Sequence, residues 1–269
     1  MSHQRNALTE LDDGITNELR LAIQNYVDAK HIIDEISWRA GAEVVAGDLM
    51  NDNGTPRTGY YFFAKTFPFV GSKVEIPAEK GFFALVPTKQ VIGMTHKWLP
   101  SSVSDKAEVL EKLRLLHEND SNHIEIAEYF WIKPLGLFLA HEGQNRVALY
   151  RLMGCKHIPA RIIPVDYPAA HRLKLYDVTL QGSVHWLIVL DNQYVEVLDH
   201  VNCSYPVLRA YGVEIEIWPK SYPPVALLLA ACYSHSASVK EGESRSIDMQ
   251  TYASKQDKPH RWLQRLLNA

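Results

Sequence analysis

The chain has 269 residues, of which 46% are hydrophobic and 22% charged, and its formal net charge at pH 7 is −3. This balance is ordinary for a globular protein with one large domain or two small ones. It gives no global electrostatic reason to expect a surface that binds DNA or a membrane.

The sequence shows neither a targeting signal nor a cysteine framework. Its start lacks the charged and apolar regions of a secretory signal, and the longest purely apolar run, residues 225–232, is about half as long as a membrane span. Cys155, Cys203 and Cys232 form no Cys-x-x-Cys pair, so the sequence indicates neither a disulfide framework nor a zinc site. We therefore expect a cytoplasmic protein with no membrane partner.

Residues 1–80 are predicted to form an N-terminal extension made of a helix and a hairpin. Between residues 15 and 36, apolar residues recur at the three-and-four spacing of a helix with one buried face. Two β-rich stretches, residues 43–46 and 58–65, then flank the turn sequence Asn51-Asp52-Asn53-Gly54.

Residues 81–167 are predicted to form an α+β domain with a mixed sheet. Helices are expected at residues 104–116 and 143–153, the second of which ends at Gly154. Pro159 and Pro164 lie in the last strand, so we expect that strand to be an edge or a tapering element. The strands are expected at residues 82–86, 89–92, 124–132, 136–140 and 158–165.

The remainder of the chain is predicted to be β-rich up to residue 233 and weakly ordered beyond it. In residues 168–233, strands are expected at 176–180, 185–190, 194–198 and 213–218, with a short helix at 205–211. Residues 234–269 contain few large apolar side chains, so they are interpreted as a polar tail.

A cluster of polar side chains lies where the strand ending near residue 140 gives way to a helix: His141, Glu142, Gln144, Asn145 and Arg146. A helix that begins at Gly143 or Gln144 leaves its first backbone N–H groups without intrahelical acceptors and carries about half a positive charge there. Such a helix start is a natural site for an anion. Gly143 lets a ligand approach the backbone closely, and Arg146 can donate two parallel hydrogen bonds to a phosphate or carboxylate. Three roles are open for Glu142: a base, a metal-bound carboxylate, or a partner for Arg146.

The same region resembles the nucleotide-binding box of the ParB/sulfiredoxin-like superfamily. The residues that carry the resemblance are Gly143-Gln144-Asn145-Arg146-Val147-Ala148-Leu149, then Leu152-Met153-Gly154, then Ile158-Pro159-Ala160-Arg161-Ile162-Ile163. In that family a strand ends in a Gly-x-x-Arg turn, a glycine closes the following helix, and a strand with a proline near its start comes next. The resemblance covers roughly residues 84–166 and implies a ParB/sulfiredoxin-like fold, a phosphate-binding corner, and a nucleoside triphosphate, ATP or CTP, with Mg²⁺.

The chain also departs from both known boxes of this family. Where partition proteins have Gly-Glu-Arg-Arg-x-Arg-Ala, it keeps Gly143 and Arg146 but has Ala148 in place of the last arginine, which argues against a CTP-hydrolysing clamp. Gln144 stands where sulfiredoxins have their catalytic cysteine, which argues against sulfinic-acid reduction. No helix-turn-helix pattern follows Tyr167. The resemblance therefore implies the fold and the corner and leaves the reaction open.

Two classes of function remain open at this stage. One is an enzyme, a nucleotide-dependent phosphotransferase or nucleotide hydrolase, with Glu142 as the catalytic candidate and a nucleotide-binding set of His141, Gly143, Gln144, Asn145 and Arg146. The other is a non-catalytic ParB-like regulatory module, plasmid- or phage-borne, that binds nucleotide or a protein or DNA partner. A ParB-like nuclease is a third possibility. No metal site is predicted from residue spacing, and the net charge does not indicate DNA binding.

Overall fold

A computed structural model describes residues 9–40, 58–70, 81–93, 108, 111, 127–239 and 244–252. The chain divides into two compact units, the first made of residues 1–65 and 74–167 and the second of residues 66–73 and 168–269. Both units contain helices and a sheet, so the predicted α+β class is confirmed. The division into four sequence segments at residues 80, 167 and 233 stays a prediction.

The first unit is built on a five-stranded sheet with the strand order β1-β5-β3-β4-β2. Strands β1 and β5 pair antiparallel, as do β3 and β4, whereas β2 pairs parallel with β4 and β3 parallel with β5. The sheet is therefore mixed, as predicted. Its strands are β1 (Phe82–Pro87), β2 (Val91–Ile92), β3 (Ala127–Ile132), β4 (Leu137–Glu142) and β5 (His157–Val165).

The α-helices of this unit whose full extent lies in the described residues are α1 (Asn17–Ala40), α2 (Gly59–Thr66, whose last residue falls at the unit boundary) and α3 (Gln144–Leu152). Helix α3 buries Val147, Leu149 and Tyr150 against one face of the sheet. Alternate residues of each strand reach that face, because side chains of a strand point to opposite sides in turn. The sheet residues in this core are Ala84, Val86, Val91, Ala127, Tyr129, Trp131, Phe138, Ala140, Ile158, Ala160 and Ile162.

Strand β5 lies inside the sheet, so the prediction of an edge strand is wrong. The two prolines do not prevent pairing with β1, because neither lies where β5 has to donate a backbone N–H to that strand. Pro159 faces Leu85, whose backbone bonds point away from β5: Leu85 N–H donates to the Thr9 carbonyl at 3.0 Å and the Leu85 carbonyl accepts from Leu11 N–H at 3.2 Å. Pro164 lies beyond the segment of β5 that is paired with β1.

Residues 58–65 were expected to be a strand and instead enter helix α2, so the hairpin prediction is wrong there. Thr58 caps the helix, with its Oγ1 accepting from Tyr61 N–H at 3.2 Å. Phe62 is fully buried and its ring lies 5.3 Å from the ring of Tyr26 on α1. Packing against α1 thus outweighs the β preference of the aromatic run.

Residues 43–46 and the turn at 51–54 lie outside the described residues, as does most of the predicted helix at 104–116, of which Glu108 and Glu111 are described and helical.

The second unit contains a four-stranded sheet in the order β6-β7-β8-β9, formed by β6 (Leu173–Leu180), β7 (Ser183–Leu190), β8 (Tyr194–Val197) and β9 (Ile247–Asp248). Helices α4 (Val201–Tyr211) and α5 (Val225–Ser238) complete it, and α5 contributes Leu228, Leu229 and Cys232 to its core. The unit also holds a cavity of about 450 Å³, lined by one face of α5 and by residues 246–248, 251 and 252.

Two predictions for this unit are corrected. Residues 213–218 form no strand and make only an isolated parallel bridge between Ile215 and Leu175. The polar tail is not weakly ordered where it is described, because residues 234–238 continue α5 and β9 pairs with β8. Residues 253–269 lie outside the described part of the chain.

Helix α1 places ionisable groups on its buried face. Lys30 and Asp34 form an ion pair one helical turn apart, with side chains 2% and 0% exposed. Burial lowers the Lys30 pKa, and Asp34 opposes that shift. Next to Lys30, burial and then the charges of Arg151 and Lys30 hold the His31 pKa well below its usual range. Arg151 of α3 in turn bonds Asp28, so this cluster joins α1 to α3.

The low pKa of His31 predicts a loss of stability on acidification. Below about pH 6.5 the His31 side chain is protonated in the unfolded chain but stays neutral in the folded protein. The contribution of His31 to the free energy of unfolding is therefore fully present above about pH 6.5. It falls as the pH drops below that value, by up to about 1.4 kcal/mol per pH unit. Urea unfolding between pH 5 and 7.5 would measure this slope. His31→Gln should flatten it, whereas His171→Gln, a change at an exposed histidine, should not. Equal slopes for the wild type and His31→Gln would contradict the assignment.

Candidate functional site

Gly143 alone connects strand β4 to helix α3. Its backbone is left-handed, with φ 76° and ψ 23°, and the helix begins at the next residue. An added Cβ would lie 3.1 Å from the Ala127 Cβ on β3, which is tighter than ordinary contact. Glycine is therefore needed both for the turn and for the approach to β3. The prediction that a helix begins within two residues of Gly143 is confirmed.

The start of α3 has no side-chain cap, since its N-cap residue is a glycine. The Arg146 N–H donates to the Gly143 carbonyl at 2.9 Å, which tightens the first turn. The N–H groups of Gln144 and Asn145 precede any possible intrahelical acceptor. Because no acidic residue lies in this first turn, the positive end of the helix dipole is not offset there by the helix's own side chains.

The structure brings the predicted polar residues together at this turn, which we call the Gly143 corner (residues 141–146). His141 and Glu142 are exposed at the end of β4, and the His141 ring packs 5.0 Å from the ring of Phe130. Gln144 Nε2 donates to the His141 carbonyl at 3.2 Å. The amide oxygens Gln144 Oε1 and Asn145 Oδ1 are shielded from solvent and have no hydrogen-bond partner in the described part of the chain.

Glu142 lies opposite a second carboxylate in the β3–β4 ladder. Its register partner is Glu128, at the position where the ladder shifts by one residue. Two carboxylates directly opposite repel each other, and Arg161 on β5 offsets this by donating to Glu128 at 3.0 Å. The Glu142 side chain is therefore exposed at the Gly143 corner while Glu128 pairs with Arg161.

Arg146 folds back over the turn. Its Cδ lies 3.5 Å from the position that a Gly143 Cβ would occupy, so its stem covers the glycine. Arg146 and Tyr150 are four residues apart and share one face of α3. Both act electrostatically on the phenol of Tyr129, which is fully buried on β3: burial and then Tyr150 raise its pKa, and Arg146 opposes them.

The Tyr129 hydroxyl belongs to this site although the sequence did not point to it. It is inaccessible to solvent and has no hydrogen-bond partner among the residues that the structure describes. A buried polar group left without a partner costs roughly 1–3 kcal/mol. Tyr129 is one tyrosine in an apolar strand, and only the pairing of β3 with β4 brings it beneath α3. The available sequence signal was the spacing of Arg146 and Tyr150, which marks a polar stripe on the helix.

Helical spacing predicts that Ala148, Leu149 and Leu152 face the core and that Asn145 and Arg146 face a cavity. This expected orientation of α3 is partly confirmed. Ala148 and Leu149 are buried, and Leu152 packs against the core as predicted. Asn145 and Arg146 are half-buried. That they face a cavity stays a prediction, since the cavity described above lies in the second unit.

The described ranges contain neither a cluster of possible metal ligands nor a helix that could span a membrane. Among these residues, no group of three or more His, Cys, Asp or Glu side chains could hold a metal ion. His185 on β7 lies within hydrogen-bond distance of the Tyr233 hydroxyl, with 3.2 Å between its Nδ1 and that oxygen. Likewise, no helix within the described ranges combines the length and apolarity needed to cross a membrane.

Comparison with known proteins assigns no family to this arrangement. The chain matches no protein family, and neither a curated protein nor a solved structure matches it. The resemblance to the ParB/sulfiredoxin-like superfamily therefore stays a prediction.

Proposed function

We propose that the Gly143 corner binds the phosphates of a nucleotide. The observation that carries this proposal is the combination of an uncapped helix start with an arginine folded over its first residue. The N–H groups of Gln144 and Asn145 would donate to one phosphate, and the Arg146 guanidinium would donate to the same or the next one.

The charge pattern of α3 supports an anionic ligand. A cation in the first turn of a helix is unfavourable because the dipole makes that end positive, whereas an anion there is stabilised. Arg146 occupies the first turn and no acidic residue accompanies it. A bound phosphate would interact favourably with both the helix end and the guanidinium.

A nucleotide is proposed in preference to free phosphate because of the resemblance to the ParB/sulfiredoxin-like superfamily. ATP and CTP are the nucleotides that this resemblance implies.

Glu142 is the residue proposed to act on the bound nucleotide. Its exposed carboxylate precedes Gly143 directly and can take a proton from an attacking water or hydroxyl group. The same carboxylate fits Mg²⁺, which commonly takes one or two protein carboxylates together with phosphate oxygens and waters. When bound, Mg²⁺ would neutralise phosphate charge. A nucleotide-dependent phosphotransferase or hydrolase is thus the proposed class, and a regulatory module is the outcome if there is no turnover.

Arg146→Ala should weaken nucleotide binding by roughly 1.5–3 kcal/mol, the range of a hydrogen bond to a charged group. A thermal-shift screen of ATP, CTP and GTP with Mg²⁺ would find the ligand, and calorimetry would then measure its Kd. The matched control is Arg209→Ala, which removes an exposed arginine of the second unit and should leave the Kd unchanged. Wild-type protein that binds none of these at millimolar concentration, or an Arg146→Ala variant that binds equally well, would sink the proposal.

Glu142→Gln should lower nucleotide turnover about 10²- to 10⁴-fold, the contribution of a general base, while the protein still binds nucleotide. Release of labelled phosphate under single-turnover conditions measures the effect. Glu128→Gln removes the carboxylate opposite Glu142 in the ladder and is the matched control. This variant should retain most of the activity. Binding without turnover in the wild type would remove the enzyme class and leave a nucleotide-binding module with a protein or DNA partner.

A further inference from the structure

The Tyr129 hydroxyl has no structural function that the described contacts reveal. It lies among apolar side chains of the sheet core, where the neighbouring position on β4 is filled by Ala140 and the next by Phe138. A phenylalanine would fill the same space without a polar group. A buried hydroxyl with no partner therefore calls for a contact that this state of the protein does not contain.

The contact that Tyr129 lacks is available on α3. Tyr150 belongs to the same core cluster as Tyr129, and Arg146 lies one helical turn before Tyr150 on α3. Both residues also act electrostatically on the Tyr129 phenol. The Arg146 stem already rests on Gly143, which in turn lies against Ala127, two residues before Tyr129 on the same face of β3. A hydroxyl can accept one hydrogen bond and donate another, so it can bond a guanidinium and a second hydroxyl at once.

We propose that Tyr129 is the positioning residue of the Gly143 corner: its hydroxyl accepts from the Arg146 guanidinium and donates to the Tyr150 hydroxyl when an anion occupies the start of α3. This inference rests on the proposed function, because it concerns the same arginine. The bond fixes one edge of the planar guanidinium from below and leaves the other edge for two parallel bonds to a phosphate. Tyr129 does not touch the ligand and acts through Arg146.

The test separates this role from a structural one by comparing stability with affinity. Tyr129→Phe removes an unbonded hydroxyl from the ligand-free core, so the Tm without ligand should be unchanged or higher. The Kd for inorganic tripolyphosphate, measured by calorimetry, should rise about threefold to tenfold, less than on removal of Arg146 itself, because Tyr129 acts on the ligand only through the guanidinium. Tyr176→Phe, a change at a buried tyrosine of the second unit, is the matched control and should leave the Kd unchanged.

A double-mutant cycle ties the effect to Arg146. Once Arg146→Ala has removed the guanidinium, adding Tyr129→Phe should cause no further rise in the Kd. Independent, multiplying losses in the double variant would overturn the inference, as would a Tyr129→Phe variant that binds like the wild type. A fall in Tm together with the loss of affinity would assign Tyr129 a structural role and overturn it too. Wild-type protein that binds no tripolyphosphate would instead contradict the proposed function itself.

Discussion

The first unit depends on a reversal of the chain within one residue. Strand β4 stays paired with β3 up to Glu142, and α3 must begin at Gln144 for Val147 and Tyr150 to reach the sheet face. Only the left-handed backbone of Gly143 connects the two, and its lack of a Cβ lets it lie against Ala127. The same turn leaves the helix start without a cap and brings Arg146 back over it. The packing of the core and the chemistry of the corner thus follow from one conformational constraint.

Much of the secondary structure could be predicted because it follows from the local spacing of apolar residues. The change from period two to period 3.6 at Gly143 located α3, and the spacing of apolar residues located α1. The failures concern interactions between distant segments. Nothing local to residues 58–65 shows that Phe62 will pack against Tyr26, and nothing in β5 shows that Leu85 will direct its backbone bonds to the segment at residues 9–11. Likewise, β8 gives order to residues 247 and 248, which by composition alone belong to a polar tail.

The candidate site likewise contains a part that the sequence could predict and a part that depends on contacts between distant segments. Residues 141–146 are contiguous, so a turn that joins a strand to a helix was enough to predict that they meet. Tyr129 comes from another strand and lies fully buried in an apolar stretch, where a tyrosine usually serves to fill the core. Its relation to Arg146 and Tyr150 requires the β3–β4 register and the position of α3 over the sheet. A single sequence specifies neither.

The two arginines of α3 lie near opposite ends of the helix, where the helix dipole affects a cation in opposite ways. Arg151 lies in the last turn, where the dipole favours a cation, and it bonds Asp28 to hold α1 against α3. Arg146 lies in the first turn, where the dipole opposes a cation, and it acts electrostatically on the buried phenol of Tyr129, whose hydroxyl has no hydrogen-bond partner within the described ranges. Both features are unfavourable for the folded chain by itself. The anion that we propose would make the first feature favourable, because it would meet two positive groups, and the proposed bond from the guanidinium to Tyr129 would remove the second. If the proposed anion binds, both unfavourable features of the start of α3 are therefore relieved by the same ligand.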